Sequence, residues 1–315
     1  MIKVSLPDIQ AAAQRIAPLI HHTPVLHSES IDAIAGCTVY FKCENFQKIG
    51  AFKMRGASNA ILSLSAEERA QGVATHSSGN HAQAVARAAK VLGIPAYIVM
   101  PETAPKVKIE AVKGYGAEVI LCPPKLKDRE AYLAEVVSRT GAQVIHPYDD
   151  ERIIAGQGTA ALELLEEQPD LQIILTPVGG GGLLSGTAIA AKSLKPGIQV
   201  IAGEPLGADD AYRSFHSGKK EINTSTNTLA DGLLTNLGDR NLEIILQYVD
   251  DIIRVSDEEI VQAMRLIWER MKIIIEPSCA VPFAAVLQQK ERVAGKKIGI
   301  ILSGGNVDLA KLPFR

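Results

Sequence analysis

Short β-branched runs alternate with helical runs along most of this chain, and no other feature restricts its fold as much. Gly72 to His76 reads as a strand, His81 to Leu92 as an Ala-rich helix, and Ala96 to Met100 as a second strand. A helix from Pro105 to about Lys113, a strand from Ala117 to Cys122, a helix from Asp128 to Thr140 and a strand from Ala142 to His146 continue the pattern. Helices near 157–167 and 183–193 follow, with strands at 172–178 and 198–203. A less regular stretch comes next. Strand Asp251 to Val255 then leads into Ser256-Asp257-Glu258-Glu259, a capping box that opens a helix to Met271. A helix near 278–288 and a strand from Lys297 to Leu302 end the series. This order predicts βαβ units, parallel sheets and an α/β fold. In such sheets ligands sit at the turns that follow strand C-termini. Three of those turns are glycine-rich here: 77–80, 179–182 and 303–306.

With 315 residues, the chain has room for about two domains. Its 33 Lys and Arg against 35 Asp and Glu give a net charge of -2, which excludes a strong pull toward nucleic acid or an acidic membrane. Aromatic residues, at 4%, are too few for a base-stacking platform. No apolar run reaches the roughly 18 residues of a membrane span. The N-terminus carries Pro7 and Asp8 and lacks a signal pattern. Cys37, Cys43, Cys122 and Cys279 are scattered, with no Cys-x-x-Cys pair. They predict free thiols and a cytoplasmic home rather than a disulfide framework.

Pro177-Val178-Gly179-Gly180-Gly181-Gly182-Leu183-Leu184-Ser185-Gly186 follows a strand and opens a helix. Four residues without Cβ let backbone N–H groups close around an anion, for which phosphate is the natural guest. No Gly-Lys-Ser/Thr follows, so this is not a P-loop. Gly180-x-Gly182-x-x-Ser185 falls one residue short of a dinucleotide fingerprint. Glu204 ends the next strand, where a ribose-binding acid would stand. A nicotinamide-dependent oxidoreductase therefore remains an alternative for this segment, as does a plain tight turn.

Gly50-Ala51-Phe52-Lys53-Met54-Arg55-Gly56-Ala57 sets a lysine among small and apolar residues just before a helix. Desolvation weakens its preference for the ammonium form, which suits covalent amine chemistry. Ser77-Ser78-Gly79-Asn80-His81 ends a strand, with Ser or Asn available as an N-cap. Ser303-Gly304-Gly305-Asn306 ends the last strand.

GAFKMRGA, SSGNHAQA, PVGGGGLLSG and LSGGNVDL, in that order, resemble the fold type II pyridoxal-phosphate (PLP) enzymes. Within them the chain is most similar to the serine/threonine dehydratases, serine racemases and 3-hydroxyaspartate dehydratases. The resemblance spans His22-Thr23-Pro24 to Leu309 and outweighs the nicotinamide reading. It implies two open, mostly parallel sheets flanked by helices. A large PLP-binding domain would comprise 1–71 and 149–315, and a small mobile domain 72–148. The chain ends soon after the last motif, so an appended regulatory domain is not expected.

By position, the resemblance implies that Lys53 holds PLP covalently and that Phe52 packs beside its ring. Asn80 would bond its 3-hydroxyl, Gly179, Gly180, Gly181 and Gly182 would cradle its phosphate, and Ser303 would face its ring nitrogen. A hydroxyl there leaves the ring neutral, which favours elimination. Ser77, Asn80 and His81 would meet the substrate carboxylate at a helix N-terminus. Ser-Ser-Gly-Asn resembles racemases and hydroxyaspartate dehydratases more than threonine dehydratases. It makes Lys53 and Ser78 the two catalytic acid/base groups, one on each face of Cα. Arg129 and Thr235 would read a second carboxylate.

Glu204, Ala208 and Asp210 resemble a divalent-cation loop for Mg²⁺, Mn²⁺ or Ca²⁺, whose preference is for oxygen ligands. Trp268 to Lys272 also resembles the racemases, whereas Lys48-Ile49-Gly50 lacks their threonine, which speaks against nucleotide activation. The expected protein is a cytoplasmic homodimer acting on a small amino acid. Its main reaction is dehydration of serine, threonine or 3-hydroxyaspartate to a 2-oxo acid and ammonia, with serine racemisation as the alternative main activity.

Overall fold

The computed structural model describes residues 3–314, among which ten strands form two sheets. In chain order they are β1 (Val25–His27), β2 (Thr38–Cys43), β3 (Val73–His76), β4 (Ala96–Pro101) and β5 (Glu118–Cys122). Then come β6 (Gln143–Val144), β7 (Ile173–Pro177), β8 (Gln199–Pro205), β9 (Asp251–Val255) and β10 (Lys297–Leu302). The larger sheet runs β1-β2-β10-β7-β8-β9 and is parallel except for β1, which pairs antiparallel with β2. The smaller sheet runs β5-β4-β3-β6 and is parallel throughout. Its strands all lie between residues 73 and 144, while the larger sheet draws strands from both sides of that insert. This is the α/β arrangement that the alternation predicts.

The differences from expectation have local causes. β6 is only two residues long, because Gln143 and Val144 alone pair with β3 before the chain crosses back. The helix Glu151–Glu167 starts at 151 rather than near 157, capped by the Asp150 side chain on Arg152 N. Its two glycines lower helix propensity but serve packing. A Cβ on Gly156 would lie 2.6 Å from Gly56 Cα, and one on Gly186 would lie 2.5 Å from Gly158 N. Backbones thus touch where helix Glu151–Glu167 meets helix Lys53–Leu62 on one side and helix Gly182–Leu194 on the other. The irregular stretch after 203 contains two helices, Asp210–Ser217 and Asp239–Tyr248. The helix Asn80–Leu92 is N-capped by Gly79 without a side-chain bond, so the expected Ser or Asn cap does not form. The Ser256 capping box does form, with Glu259 as its partner.

Helix Lys53–Leu62 packs Met54, Ala57 and Ile61 into one apolar core with Val85 and Ala88 of the Asn80 helix. Its other face carries Arg55, fully buried and forked between two carboxylates. Arg55 Nε donates to Glu44 Oε2 at 2.8 Å and Nη1 to Glu163 Oε1 at 2.6 Å. Lys42, also fully buried, pairs with Glu163 at 2.8 Å. These charge-assisted bonds tie β2 and helix Glu151–Glu167 to the helix that begins with Lys53.

Candidate active site

The turns after β3, β7 and β10 carry the predicted site, and a hydrogen-bonded web joins two of them to Lys53. Phe52 N donates to Ser303 O at 3.0 Å, and Gly305 N to Gly50 O at 2.9 Å. Asn306 Nδ2 donates to Ile49 O at 2.7 Å and to Asn80 Oδ1 at 2.9 Å. Gly50 sits at φ 70, and a Cβ there would strike Asn306 Oδ1 at 2.8 Å, so the close approach requires glycine. Asn80 Nδ2 donates to both oxygens of Glu276, at 3.0 and 3.2 Å, and Asn306 N to Glu276 Oε2 at 3.2 Å. Glu276 is 5% exposed. Burial raises its carboxyl from 4.5 to about 7, against the Asn80 hydrogen bond.

Lys53 is the first residue of its helix, and its Nζ donates to Pro147 O at 2.7 Å. Burial lowers its amine from 10.5 to about 8, with the Glu276 charge opposing. Phe52 lies beside it, its ring centroid 5.2 Å from Nζ. His81 is buried, and burial, then the charge of Lys53, lower it to about 3. The ring is therefore neutral, and Nε2 gives its hydrogen to Ile145 O at 3.0 Å. That leaves Nδ1 as an acceptor without a partner. The imidazole cannot donate to a substrate carboxylate through Nδ1, but the first-turn backbone N–H of His81 can. Burial also lowers His76 and His146.

The glycine turn shows the features of an anion cradle. Among the described residues, no N–H from Gly179 to Gly182 donates to a protein acceptor. A Cβ on Gly180 would lie 2.3 Å from the Tyr148 ring, and Gly181 has φ +94. Ser185 Oγ, one turn into the helix, is buried without a partner. Free amides, an unused hydroxyl and the positive end of a helix fit a phosphate. The partly desolvated Lys53 amine fits an aldehyde. Ser303 is 3% exposed, and its small uncharged side chain fits an unprotonated ring nitrogen. The residues present thus fit PLP.

Ser77 and Ser78 are half-buried on the same turn as Asn80. Ser77 Oγ accepts from Gly79 N at 3.3 Å, whereas the Ser78 hydroxyl has no protein partner among the described contacts. Arg129 is in the first turn of helix Leu126–Thr140, and its Nε is buried without a partner. Thr235 is exposed just after the short 231–233 turn, and no contact ties it to Arg129. Glu204, fully buried at the end of β8, accepts from Ala211 N at 2.9 Å and Tyr212 N at 2.7 Å. Burial, and further the charges of Asp210 and Asp209, hold its carboxyl well above the usual range. Asp210 accepts from Asn223 Nδ2 and Leu237 N, both at 2.7 Å, and burial raises it as well. Among the described residues no group of three or more His, Cys, Asp or Glu gathers as a metal cage.

Residues 16–304 match the family described as pyridoxal-phosphate dependent enzymes. This chain belongs to that family. It is 54% identical to a serine racemase of Dictyostelium discoideum, over 99% of this chain and 98% of the relative. It is 48% identical to a beta-hydroxyaspartate dehydratase of Paracoccus denitrificans, over 98% of each. The crystal structure of the Dictyostelium racemase superposes with a TM-score of 0.94, covering 97% of this chain and 99% of that one. Membership of the family replaces the nicotinamide reading of the glycine turn, and with it the ribose role of Glu204. Two residues of the web escaped sequence reading. Glu276 is 196 positions from Asn80, and Asn306 was visible only as part of a turn. An acid in Ile-Glu-Pro at a helix start is the one local signal that Glu276 offers.

Proposed function

We propose that this chain dehydrates a 3-hydroxy amino acid (serine, threonine or 3-hydroxyaspartate) to a 2-oxo acid and ammonia, and racemises serine in parallel. The observation that carries this is Lys53, an amine lowered to about 8 that follows directly on the Ile49–Phe52 segment, which hydrogen bonds tie to the Asn80 and Ser303 turns. PLP, when bound, supplies the electron sink for the electrons released at Cα. The lowering of the Lys53 amine favours its neutral form, in which Nζ can take the Cα proton. Ser77 and the free first-turn amides of Asn80 and His81 hold the substrate carboxylate. Asn80 and Gly179 to Gly182 hold the cofactor's 3-hydroxyl and phosphate. Ser303, with a hydroxyl rather than a carboxylate, keeps the ring nitrogen uncharged and so favours elimination.

The unpartnered Ser78 hydroxyl favours the racemase as a second reading, by returning a proton to the face opposite Lys53. Arg129 Nε, buried and unused, favours a second carboxylate on the substrate, with Thr235 beside it on closure. In this reading 72–148 is a small mobile domain that closes on the large PLP-binding domain formed by 1–71 and 149–315. Support comes from the confinement of the smaller sheet to that insert. The Glu204 and Asp210 carboxylates and the Ala208 carbonyl would hold Mg²⁺, Mn²⁺ or Ca²⁺. Exposed Phe46 and Ile274, on segments joined by Asn45 Nδ2 to Ile274 O, offer apolar surface for a homodimer. Four buried free cysteines suit a reducing cytoplasm, and no helix among the described residues is long and apolar enough to cross a membrane.

The deciding experiment compares kcat/KM for the three substrates and quantifies D-serine and pyruvate from L-serine. Ser78→Ala is expected to abolish racemisation while leaving L-serine elimination within about threefold. Equal loss of both products sinks the two-face assignment, and no oxo acid from any of the three substrates sinks the function.

A further inference from the structure

The glycine turn is held from behind by a residue that no motif contains. Asn241 is fully buried in the first turn of helix Asp239–Tyr248. Its Nδ2 donates to Gly180 O at 2.8 Å and to Tyr148 O at 3.2 Å. Gly180 O also accepts from Gly238 N at 3.1 Å. A peptide unit is planar and trans, so its C=O and its N–H point to opposite sides. Two donors holding the Gly180 carbonyl toward the Asp239 helix therefore turn the Gly181 N–H the other way, away from that helix, where it has no protein acceptor. Gly181 itself rests on Asn241, where an added Cβ would lie 2.7 Å from Asn241 Cβ.

The second acceptor, Tyr148 O, is one residue beyond Pro147, whose carbonyl takes the Lys53 amine. One side-chain amide thus fixes the spacing between the glycine turn and the segment that receives Lys53. Its own Oδ1 stays buried and unpaired. An unpaired buried acceptor is costly, so the two donor bonds, rather than general polarity, account for an amide here.

We propose that Asn241 is a positioning residue for the cofactor phosphate, setting the direction of the Gly181 N–H. The inference rests on PLP being the ligand of this turn. The test compares binding of PLP with binding of pyridoxal, which has the aldehyde and no phosphate, to cofactor-stripped full-length protein. Asn241→Leu keeps the shape and removes the donors, and Asn241→Ser keeps a polar side chain while losing the reach to Tyr148. In each variant the ratio of PLP affinity to pyridoxal affinity is expected to fall about tenfold, the loss of one hydrogen bond's worth of phosphate binding. The ³¹P resonance of the holoenzyme should move with it. A purely structural role would weaken both ligands alike and leave the ratio unchanged, which overturns the proposal. Failure of both variants to fold assigns Asn241 to the fold and overturns it too. A wild-type protein that binds neither ligand refutes the PLP reading instead.

Discussion

Replacing Glu276 by Gln isolates the cost of holding a carboxylate inside the web around Lys53. Burial raises its pKa from 4.5 to about 7. A carboxyl with a higher value folded than unfolded binds protons more tightly in the native state. Its contribution is therefore best retained below about pH 4.5 and is lost as pH rises toward 7. The full difference amounts to about 3 kcal/mol. Between about pH 5 and pH 7.5, the native protein should lose about 2 kcal/mol that Glu276→Gln does not. Denaturant unfolding of cofactor-stripped wild type and variant at both pH values measures this difference. Because the Glu276 charge holds the Lys53 amine up, both proteins are compared in a Lys53→Met background, which removes that titration from the window. Gln matches the protonated carboxyl in shape and can still accept from Asn80, so the low-pH comparison checks packing. A variant-minus-native difference that does not change with pH would refute the assignment of a desolvated carboxylate at this position.

Three further outcomes follow from the packing. Arg55→Met should cost about 3–5 kcal/mol in chemical denaturation, because Glu44 and Glu163 lose the charge between them. Gly186→Ala places a methyl 2.4 Å from Ile154 O and should cost about 3 kcal/mol or more, with weaker PLP binding as the helices part. EDTA should lower both the melting temperature and the activity if Glu204 and Asp210 hold a cation, with Mg²⁺ restoring them; Glu204→Gln should abolish that response to EDTA. A melting temperature and activity indifferent to EDTA would argue against the cation.

Much of the fold was legible because its signals are local. β9 ends where its β-branched run ends and β10 one residue later, at Leu302, and the Ser256 box fixes its helix start in four residues. The start of helix Glu151–Glu167 was hidden because Gly156 and Gly158 look like breakers until their partners, Gly56 and Gly186, are brought against them. Helix Asp210–Ser217 escaped notice because it is only eight residues long and buries just Asp210, Ala211 and Ser214. At the site, Lys53 and the three glycine-rich turns stand out in sequence. Glu276, Asn306 and Asn241 do not, since their roles depend on partners brought from distant parts of the chain. His81 was legible as a residue but not as a mechanism: its ring is spent on Ile145, which only the fold discloses.

The glycine contacts between helices have a consequence for how such a pocket can diversify. Lys53 heads one helix, the phosphate turn heads another, and helix Glu151–Glu167 separates them through Gly56–Gly156 on one side and Gly158–Gly186 on the other. Along that route the span between amine and phosphate is set by backbone lying on backbone at the two crossings, with Gln157 and Ile9 packed alongside. Substitutions around the substrate can therefore alter what is recognised without changing the gauge on which the cofactor is mounted.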